Sequence, residues 1–223
     1  MQFSLFLLAA CTALLQPVAA HYRFTSLIVG STVTSEYQYV RQNSNHNSPV
    51  STTSTDVRCN VGGGSGASTQ TATVAAGSTV GFKMDQSIYH AGPIVAYISK
   101  APSTAASYDG SGSWAKLYEI APTISSSGVV WNTEGKDTFS WTLPASLAAG
   151  EYLLRIEQVA LHSMPAQHYV SCAQIKVTGG GSAVPTGISL PAGYNAASSS
   201  FAVNIYYPVL TSYTMPGGAV WRG

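Results

Sequence analysis

Two stretches decide the fold, EYLLRIEQVA at 151–160 and YVSCAQIKV at 169–177. Both are short and rich in β-branched and aromatic residues, which favour extended backbone. Neither belongs to a long run with the 3.6-residue period of an amphipathic helix. Polar and turn-forming residues lie between them. We therefore expect two neighbouring strands of a sheet.

The same composition recurs along the chain, with Gly, Pro, Ser and Asn separating the runs. Many short strands with turns between them predict an all-β fold, an antiparallel β-sandwich. Residues 31–68 form a long irregular insertion, and we expect 179–200 to wrap around the same domain, since the apolar FAVNIYY follows at 201–207. The further predicted strands are 22–29, 69–75, 78–84, 93–99, 114–120 and 138–143.

The first twenty residues, MQFSLFLLAACTALLQPVAA, have the pattern of a secretory signal peptide. Their apolar run is too short for a stable membrane span, and Val18-Ala19-Ala20 supplies the small residues that a signal peptidase recognises. Cleavage would make His21 the first residue of the mature protein. Its amine and imidazole could then bind one metal ion, and such nitrogen donors suit copper. The alternative is that His21 only marks where cleavage happens to fall.

Composition limits the possible partners. Charged residues make up 9% of the chain and the formal net charge is +1, which argues against a nucleic-acid partner held by phosphate neutralisation. No second apolar run reaches the length that spans a membrane. We expect residues 21–223 to form one secreted, monomeric domain. Its abundant Tyr, Ser, Thr and Gly suit contact with an uncharged polymer.

Cysteine use agrees with secretion. Cys59 and Cys172 remain after processing, and an even pair in an oxidising compartment predicts a disulfide. Two unrelated buried thiols are the alternative. A bridge would close a loop of more than a hundred residues, for which chain-entropy models give about 4–5 kcal/mol of stabilisation.

Polar side chains that can act in a site lie at the ends of the predicted strands. His90 precedes a Gly-Pro turn that holds its loop rigidly, and His162, Gln167, His168 and Tyr169 lie near the other end of the core. Because strand side chains alternate between faces, Gln167 and Tyr169 point the same way while His168 points to the other face. Alone, these could be ordinary surface or sheet residues.

Together, these features resemble a known family. The signal sequence is followed in order by His21-Tyr22, Tyr89-His90-x-Gly92-Pro93, Ala160-Leu161-His162, Gln167-x-Tyr169 and Val220-Trp221-x-Gly223. This combination is similar to the fungal lytic polysaccharide monooxygenases of auxiliary-activity family nine, formerly glycoside hydrolase family sixty-one. The resemblance covers essentially all of residues 21–223. It implies an immunoglobulin-like β-sandwich, and it places Cys59 and Cys172 at the family's disulfide positions.

The resemblance also implies a role for each candidate residue. His21 and His90 match the copper ligands that form a histidine brace, and Tyr169 matches the axial tyrosine. His162 and Gln167 match the pair that hydrogen-bonds oxygen species at the metal. Two substrate contacts are implied as well, His46 in a surface loop and Tyr213 on a flat binding face.

Three positions depart from the family pattern. His162 and Gln167 are only five residues apart, where about ten is usual, and this shortened loop puts the position of His162 in question. His168 stands where an apolar residue is usual, and its parity indicates a structural role. Asn47 replaces the tyrosine of several relatives, which predicts weaker contact with cellulose there.

The implied activity is oxidative cleavage of cellulose or related β-1,4-glucans, on crystalline or amorphous surfaces, with oxidation at the anomeric carbon as the favoured outcome. Copper would be the cofactor, with O₂ or H₂O₂ as oxidant and an external reductant or a cellobiose dehydrogenase-like donor. A glycoside hydrolase is one alternative, but it would need two carboxylates across a cleft. A non-catalytic copper- or carbohydrate-binding secreted β-sandwich is the other.

Overall fold

The computed structural model describes residues 21–223, so the predicted signal peptide at 1–20 lies outside the described part. The described chain is built almost wholly from strands and loops, with one 3₁₀ turn at Thr55–Val57. The strands are Phe24–Val29 (β1), Thr32–Val33 (β2), Ala72–Ala75 (β3), Thr79–Met84 (β4), Ile94–Lys100 (β5), Ser113–Ile120 (β6), Thr123–Ser125 (β7), Gly128–Val130 (β8), Thr138–Thr142 (β9), Gly150–Ala160 (β10), Gln167–Thr178 (β11) and Ile188–Ser189 (β12).

Two sheets form the sandwich. One has the order β2-β1-β4-β9 and the other β12-β6-β5-β10-β11-β3, while β7 and β8 form a separate hairpin. The predicted all-β sandwich is confirmed, and each of the eight predicted strands overlaps an observed one. The pairing is not antiparallel throughout, because β3 runs parallel to β11. A strand's residue pattern does not specify the direction of its neighbour, so this departure could not be predicted.

The main core lies between the two sheets. Phe82 and Phe139 contribute from the four-stranded sheet, and Leu154, Ile156 and Ile175 from the larger one. Burial of such side chains is the principal favourable term in folding. The even-numbered residues of β10 face this core, and the odd-numbered residues face the opposite side of the sheet.

A second core covers the outer face of the six-stranded sheet. The irregular segments predicted at 31–68 and 179–200 supply its cover, including Val57 and Tyr194, which pack with Trp114 and Leu153 from the sheet. Both faces of the large sheet are therefore buried. This explains why consecutive residues of β10 and β11 are buried with almost no alternation between buried and exposed positions.

A disulfide fixes the long insertion to the sheet. Cys59 and Cys172 are bonded, with an S–S distance of 2.00 Å and 113 residues between them in the chain. Beside it, His168 is buried and faces the outer core, as its parity predicted. Its Nδ1 lies 2.5 Å from Glu157 Oε1 and its Nε2 lies 2.7 Å from Thr52 Oγ1. These contacts give His168 a structural role.

Candidate active site

The site begins with two imidazoles that come from distant parts of the chain. His21 precedes β1, and His90 lies in the loop that enters β5. Their ring centroids are 6.1 Å apart. In the sequence they are separated by nearly seventy residues, and the pairing of β1 with β4 in the first sheet brings the two segments together.

Side-chain amides hold the backbone of His21. Asn47 Nδ2 donates a hydrogen bond of 3.1 Å to the His21 carbonyl oxygen. Gln86 Nε2 donates to the same oxygen. The sequence indicated Asn47 only as a missing substrate contact, whereas in the structure it positions the N-terminal segment. No local sequence pattern could reveal this contact, since it joins two loops.

The separation of the two imidazoles can be compared with the one needed to bind the copper ion that the family resemblance implies. Since metal–imidazole nitrogen bonds are about 2 Å long and a ring centroid lies about 1 Å behind its nitrogen, two rings on opposite sides of one ion have centroids about 6 Å apart. The observed 6.1 Å between His21 and His90 fits this geometry. Within residues 21–223, no three His, Cys, Asp or Glu side chains form a group that could hold a metal. A third donor would have to come from elsewhere, such as the amine that the predicted cleavage after Ala20 would free on His21.

Tyr169 and Gln167 lie beside these rings on one face of β11. The Tyr169 ring centroid is 5.5 Å from that of His21 and 6.0 Å from that of His90. Its hydroxyl donates to Gln167 Oε1 at 2.8 Å. Burial, and then the neighbouring Tyr89, raise the pKa of Tyr169 above its ordinary value, so the side chain remains a neutral phenol.

His162 lies against His90 despite the shortened loop. The two rings stack with centroids 3.8 Å apart and planes inclined by only 6°. The reason is the β10–β11 hairpin, in which Ala160 pairs with Gln167 and leaves only a short connection for His162. Burial, and then the nearby His21, lower the pKa of His162. A neutral imidazole therefore borders the site.

The two predicted substrate contacts have different surroundings. His46 lines a cavity of about 400 Å³ together with His21 and Asp85, so it borders the candidate site. Tyr213 is partly buried, with its ring edge-on to Trp131 at 5.3 Å and its hydroxyl donating to a backbone carbonyl. This packing disfavours the stacking role predicted for Tyr213.

Two consecutive tyrosines near the end of the chain, Tyr206 and Tyr207, have exposed fractions of 69% and 81%. Tyr206 donates to the carbonyl oxygen of His162 at 3.1 Å, which places its ring beside the loop that carries this histidine. The two residues belong to the run predicted to follow the wrapping segment. Their exposure could not be read from an apolar run that resembles a buried strand.

Comparison with known proteins agrees with this arrangement. The sequence profile of Auxiliary Activity family 9 (formerly GH61) matches residues 21–213. The AA9 family lytic polysaccharide monooxygenase E of Podospora anserina is 47% identical over 96% of this chain and 73% of its own. The AA9 family lytic polysaccharide monooxygenase H of Malbranchea cinnamomea is 46% identical over 96% of this chain and 98% of its own.

A solved structure supports the fold assignment. The cellulose-active polysaccharide monooxygenase from M. thermophila superposes with a TM-score of 0.78 at 29% identity, covering 91% of this chain and all of that one. Fold and family match together define a β-sandwich oxidoreductase. The chain belongs to Auxiliary Activity family 9, the lytic polysaccharide monooxygenases, which cleave polysaccharides oxidatively. The predicted family is confirmed.

Proposed function

We propose that residues 21–223, after removal of the signal peptide, form a secreted copper-dependent monooxygenase that cleaves cellulose or related β-1,4-glucans. The observation that carries this proposal is the pair of imidazoles, His21 and His90, at a separation that suits one ion between them. The family match begins at His21. This supports a mature chain whose first residue adds its amine to the two imidazoles.

The residues around the pair suit oxygen chemistry. Bound copper would supply one-electron redox chemistry that uses O₂ or H₂O₂ after reduction by an external donor, such as ascorbate or a cellobiose dehydrogenase-like protein. Gln167 accepts from Tyr169, so its amide N–H groups remain to donate. His162, as a neutral imidazole stacked on His90, can accept or donate a proton beside the pair of imidazoles. Tyr169, which lies beside both imidazoles with its hydroxyl hydrogen-bonded to Gln167, would be a weak further neighbour of the bound metal.

A flat glucan can lie over the exposed side of the site. Tyr206 presents an aromatic ring next to the His162 loop, Tyr207 is the exposed residue after it, and His46 borders the cavity on the His21 side. Aromatic rings bury apolar area with a polar tip, which suits the faces of glucose units. The cellulose activity named for the M. thermophila relative supports cellulose as the polymer.

The direct test is product analysis. The secreted protein, loaded with copper and supplied with ascorbate, should release oxidised oligosaccharides from cellulose, detected by mass spectrometry as products 16 mass units above or 2 below the unmodified chains (about one added oxygen or two lost hydrogens). A chelator should abolish release. Unmodified oligosaccharides that persist in the chelator would instead indicate a glycoside hydrolase.

The N terminus provides a second test. A protein that retains Ala20 before His21 lacks the free amine, so it should bind copper(II) more weakly and show altered paramagnetic-resonance parameters. Unchanged affinity and spectrum in this extended protein would contradict the brace. Copper binding without oxidised products from any glucan would favour the alternative, a non-catalytic copper- or carbohydrate-binding sandwich.

A further inference from the structure

A buried amide connects the segments that carry the two candidate ligands. Gln158 lies on β10 and is fully buried. It belongs to the core-facing row of that strand, whose other members are Tyr152, Leu154, Ile156 and Ala160. Burying an amide in an apolar row is unfavourable unless its hydrogen bonds with water are replaced. The partners of Gln158 therefore indicate what this side chain does.

Both partners belong to the site. Tyr22 Oη lies 2.8 Å from Gln158 Oε1, and Gln158 Nε2 lies 3.2 Å from the His90 carbonyl oxygen. A carbonyl oxygen can only accept, so the amide nitrogen must face His90 and Tyr22 must be the donor.

Gln158 lies where three parts of the chain meet: the segment that follows His21, the loop that carries His90, and strand β11. Tyr22 follows His21 directly, so one hydrogen bond holds the start of the chain. The other holds the loop that carries His90. On β11, Tyr169 lies directly opposite Gln158, and its ring centroid is 4.7 Å from that of Tyr22.

The loop that carries His90 lies very close to β10. A Cβ at Gly92 would be 1.8 Å from the Val159 carbonyl oxygen, and the φ of 149° at this glycine also disfavours other residues. Leu161 N donates to the Ala91 carbonyl oxygen at 2.9 Å. These backbone contacts fix the loop after His90, and Gln158 provides a side-chain contact at His90 itself.

We propose that Gln158 is a positioning residue that sets the separation of the His21 and His90 rings by hydrogen-bonding Tyr22 and the His90 carbonyl together. This inference rests on the proposed copper function. Gln158 would not touch the metal, since its amide oxygen and nitrogen are hydrogen-bonded to Tyr22 and the His90 carbonyl. It acts through the backbone on either side, as outer partners of metal ligands do.

The test is Gln158→Leu, which keeps the approximate shape and removes both hydrogen bonds. In the secreted protein beginning at His21, we expect copper(II) affinity to fall by about 10–100-fold, the usual effect of losing an outer partner. The paramagnetic-resonance parameters should change as well. Tyr22→Phe should shift both readouts in the same direction, and the double variant should lose less than the sum, because the two residues share one hydrogen bond.

Gln174→Leu is the matched control. Gln174 is also fully buried and hydrogen-bonded, to Arg41 and the Thr69 carbonyl oxygen, but it lies about 16 Å along β11 from Tyr169. This control should lower the melting temperature while copper affinity and spectrum stay unchanged. If Gln158→Leu behaves like this control, Gln158 is merely structural and the inference is wrong.

A measurement without copper separates this inference from the proposed function. Imidazole NMR resonances of His21 and His90 in the metal-free protein should shift in Gln158→Leu and not in Gln174→Leu. If the unaltered protein failed to bind copper, the proposed function would be wrong, while such shifts would still support the positioning role. Unshifted resonances in Gln158→Leu would overturn it.

Discussion

At the scale of single residues, the candidate site separates groups that would bind the metal from groups that would only surround it. His21 and His90 have rings at a separation suited to an ion between them, whereas His162 stacks on the face of His90. A ring stacked at 3.8 Å on His90 would be a neighbour of a metal ligand and would not itself bind the metal. The two kinds of histidine should therefore respond differently to substitution.

His162→Ala should leave copper affinity within about threefold of the unaltered protein and lower turnover on cellulose by about 10–100-fold, as loss of an outer group does. Calorimetric titration gives the affinity and product release gives the turnover. His90→Ala is the comparison, and it should lose copper affinity by orders of magnitude because it removes a donor. Unchanged turnover in His162→Ala would mean that Gln167 alone serves the oxygen chemistry.

Substitutions at Tyr207 and Tyr213 should have different effects, the first on adsorption to cellulose and the second on stability. Tyr207 is 81% exposed, so Tyr207→Ala should weaken adsorption to cellulose. If stacking on glucose is worth as much as an aromatic pair, about 0.5–1.5 kcal/mol, the loss is about two- to twelvefold. Tyr213→Ala should instead lower the free energy of unfolding by about 2–4 kcal/mol, because the ring packs against Trp131. Adsorption isotherms and urea unfolding separate the two; the reverse pattern would restore the sequence-based role of Tyr213.

At the scale of elements, β10 carries different chemistry on its two faces. Gln158 faces the sandwich core and the candidate site, while Arg155 and Glu157 face the outer core. There, Glu157 accepts from Arg155 Nη1 at 2.8 Å and from Tyr194 Oη at 2.5 Å. Charges buried in this way are stable only as a paired network. One strand thus joins the candidate site to the structural network beneath the wrapping loops.

This network predicts a pH dependence of stability. Burial alone would raise the pKa of Glu157, but the Arg155 charge and the His168 contact outweigh it and lower the pKa to about 2. The ionised form is therefore favoured in the folded state. Its contribution is fully present above the unfolded pKa of about 4.3 and is lost as the pH falls towards 2, by about 3 kcal/mol in all. Urea unfolding between pH 5 and pH 2.5 should show the decline.

Two variants locate the source of that decline. Glu157→Gln should be less stable at pH 5 and should lose most of the slope, because the titrating group is gone. Asp137→Asn should keep the slope, since Asp137 lies at the surface in an ion pair with Lys83 and contributes little. A stability that stays constant between pH 5 and pH 2.5 would show that Glu157 is not held ionised by its partners.

At the scale of the whole molecule, the six-stranded sheet is covered on one side by a second sheet and on the other by loops. The insertion at 31–68 and the segment after β11 provide the loop cover, and Cys59–Cys172 ties the first of these to the sheet. The described residues include no helix long and apolar enough to cross a membrane.

The disulfide should contribute strongly to the stability of this architecture. Replacing both Cys59 and Cys172 by Ser opens a loop with a sequence separation of 113 residues. Chain entropy then predicts a loss of about 4–5 kcal/mol in the free energy of unfolding. Chemical unfolding of the oxidised protein and of the double variant measures it. A loss below about 1 kcal/mol would mean that the insertion is held by its packing alone.

The sequence by itself determined the strands and the candidate residues. The β-branched runs specify extended segments through local backbone preference, and period-two parity assigned Tyr169 and His168 to opposite faces without any tertiary information. The family motifs then identified His21, His90, His162 and Gln167 as candidates. These features depend on near neighbours in the chain, so a linear pattern carries them.

Only the tertiary structure decided how distant segments meet. The parallel direction of β3, the cover over the second core, the contact of Asn47 with His21 and the bridging role of Gln158 all depend on closing long loops. Tyr213 and Tyr207 have the same side chain six residues apart, yet one is packed against Trp131 and the other is exposed. Burial and hydrogen-bond partners across 26 to 136 residues arise from packing. Packing is a property of the assembled sheets, and no local pattern encodes it.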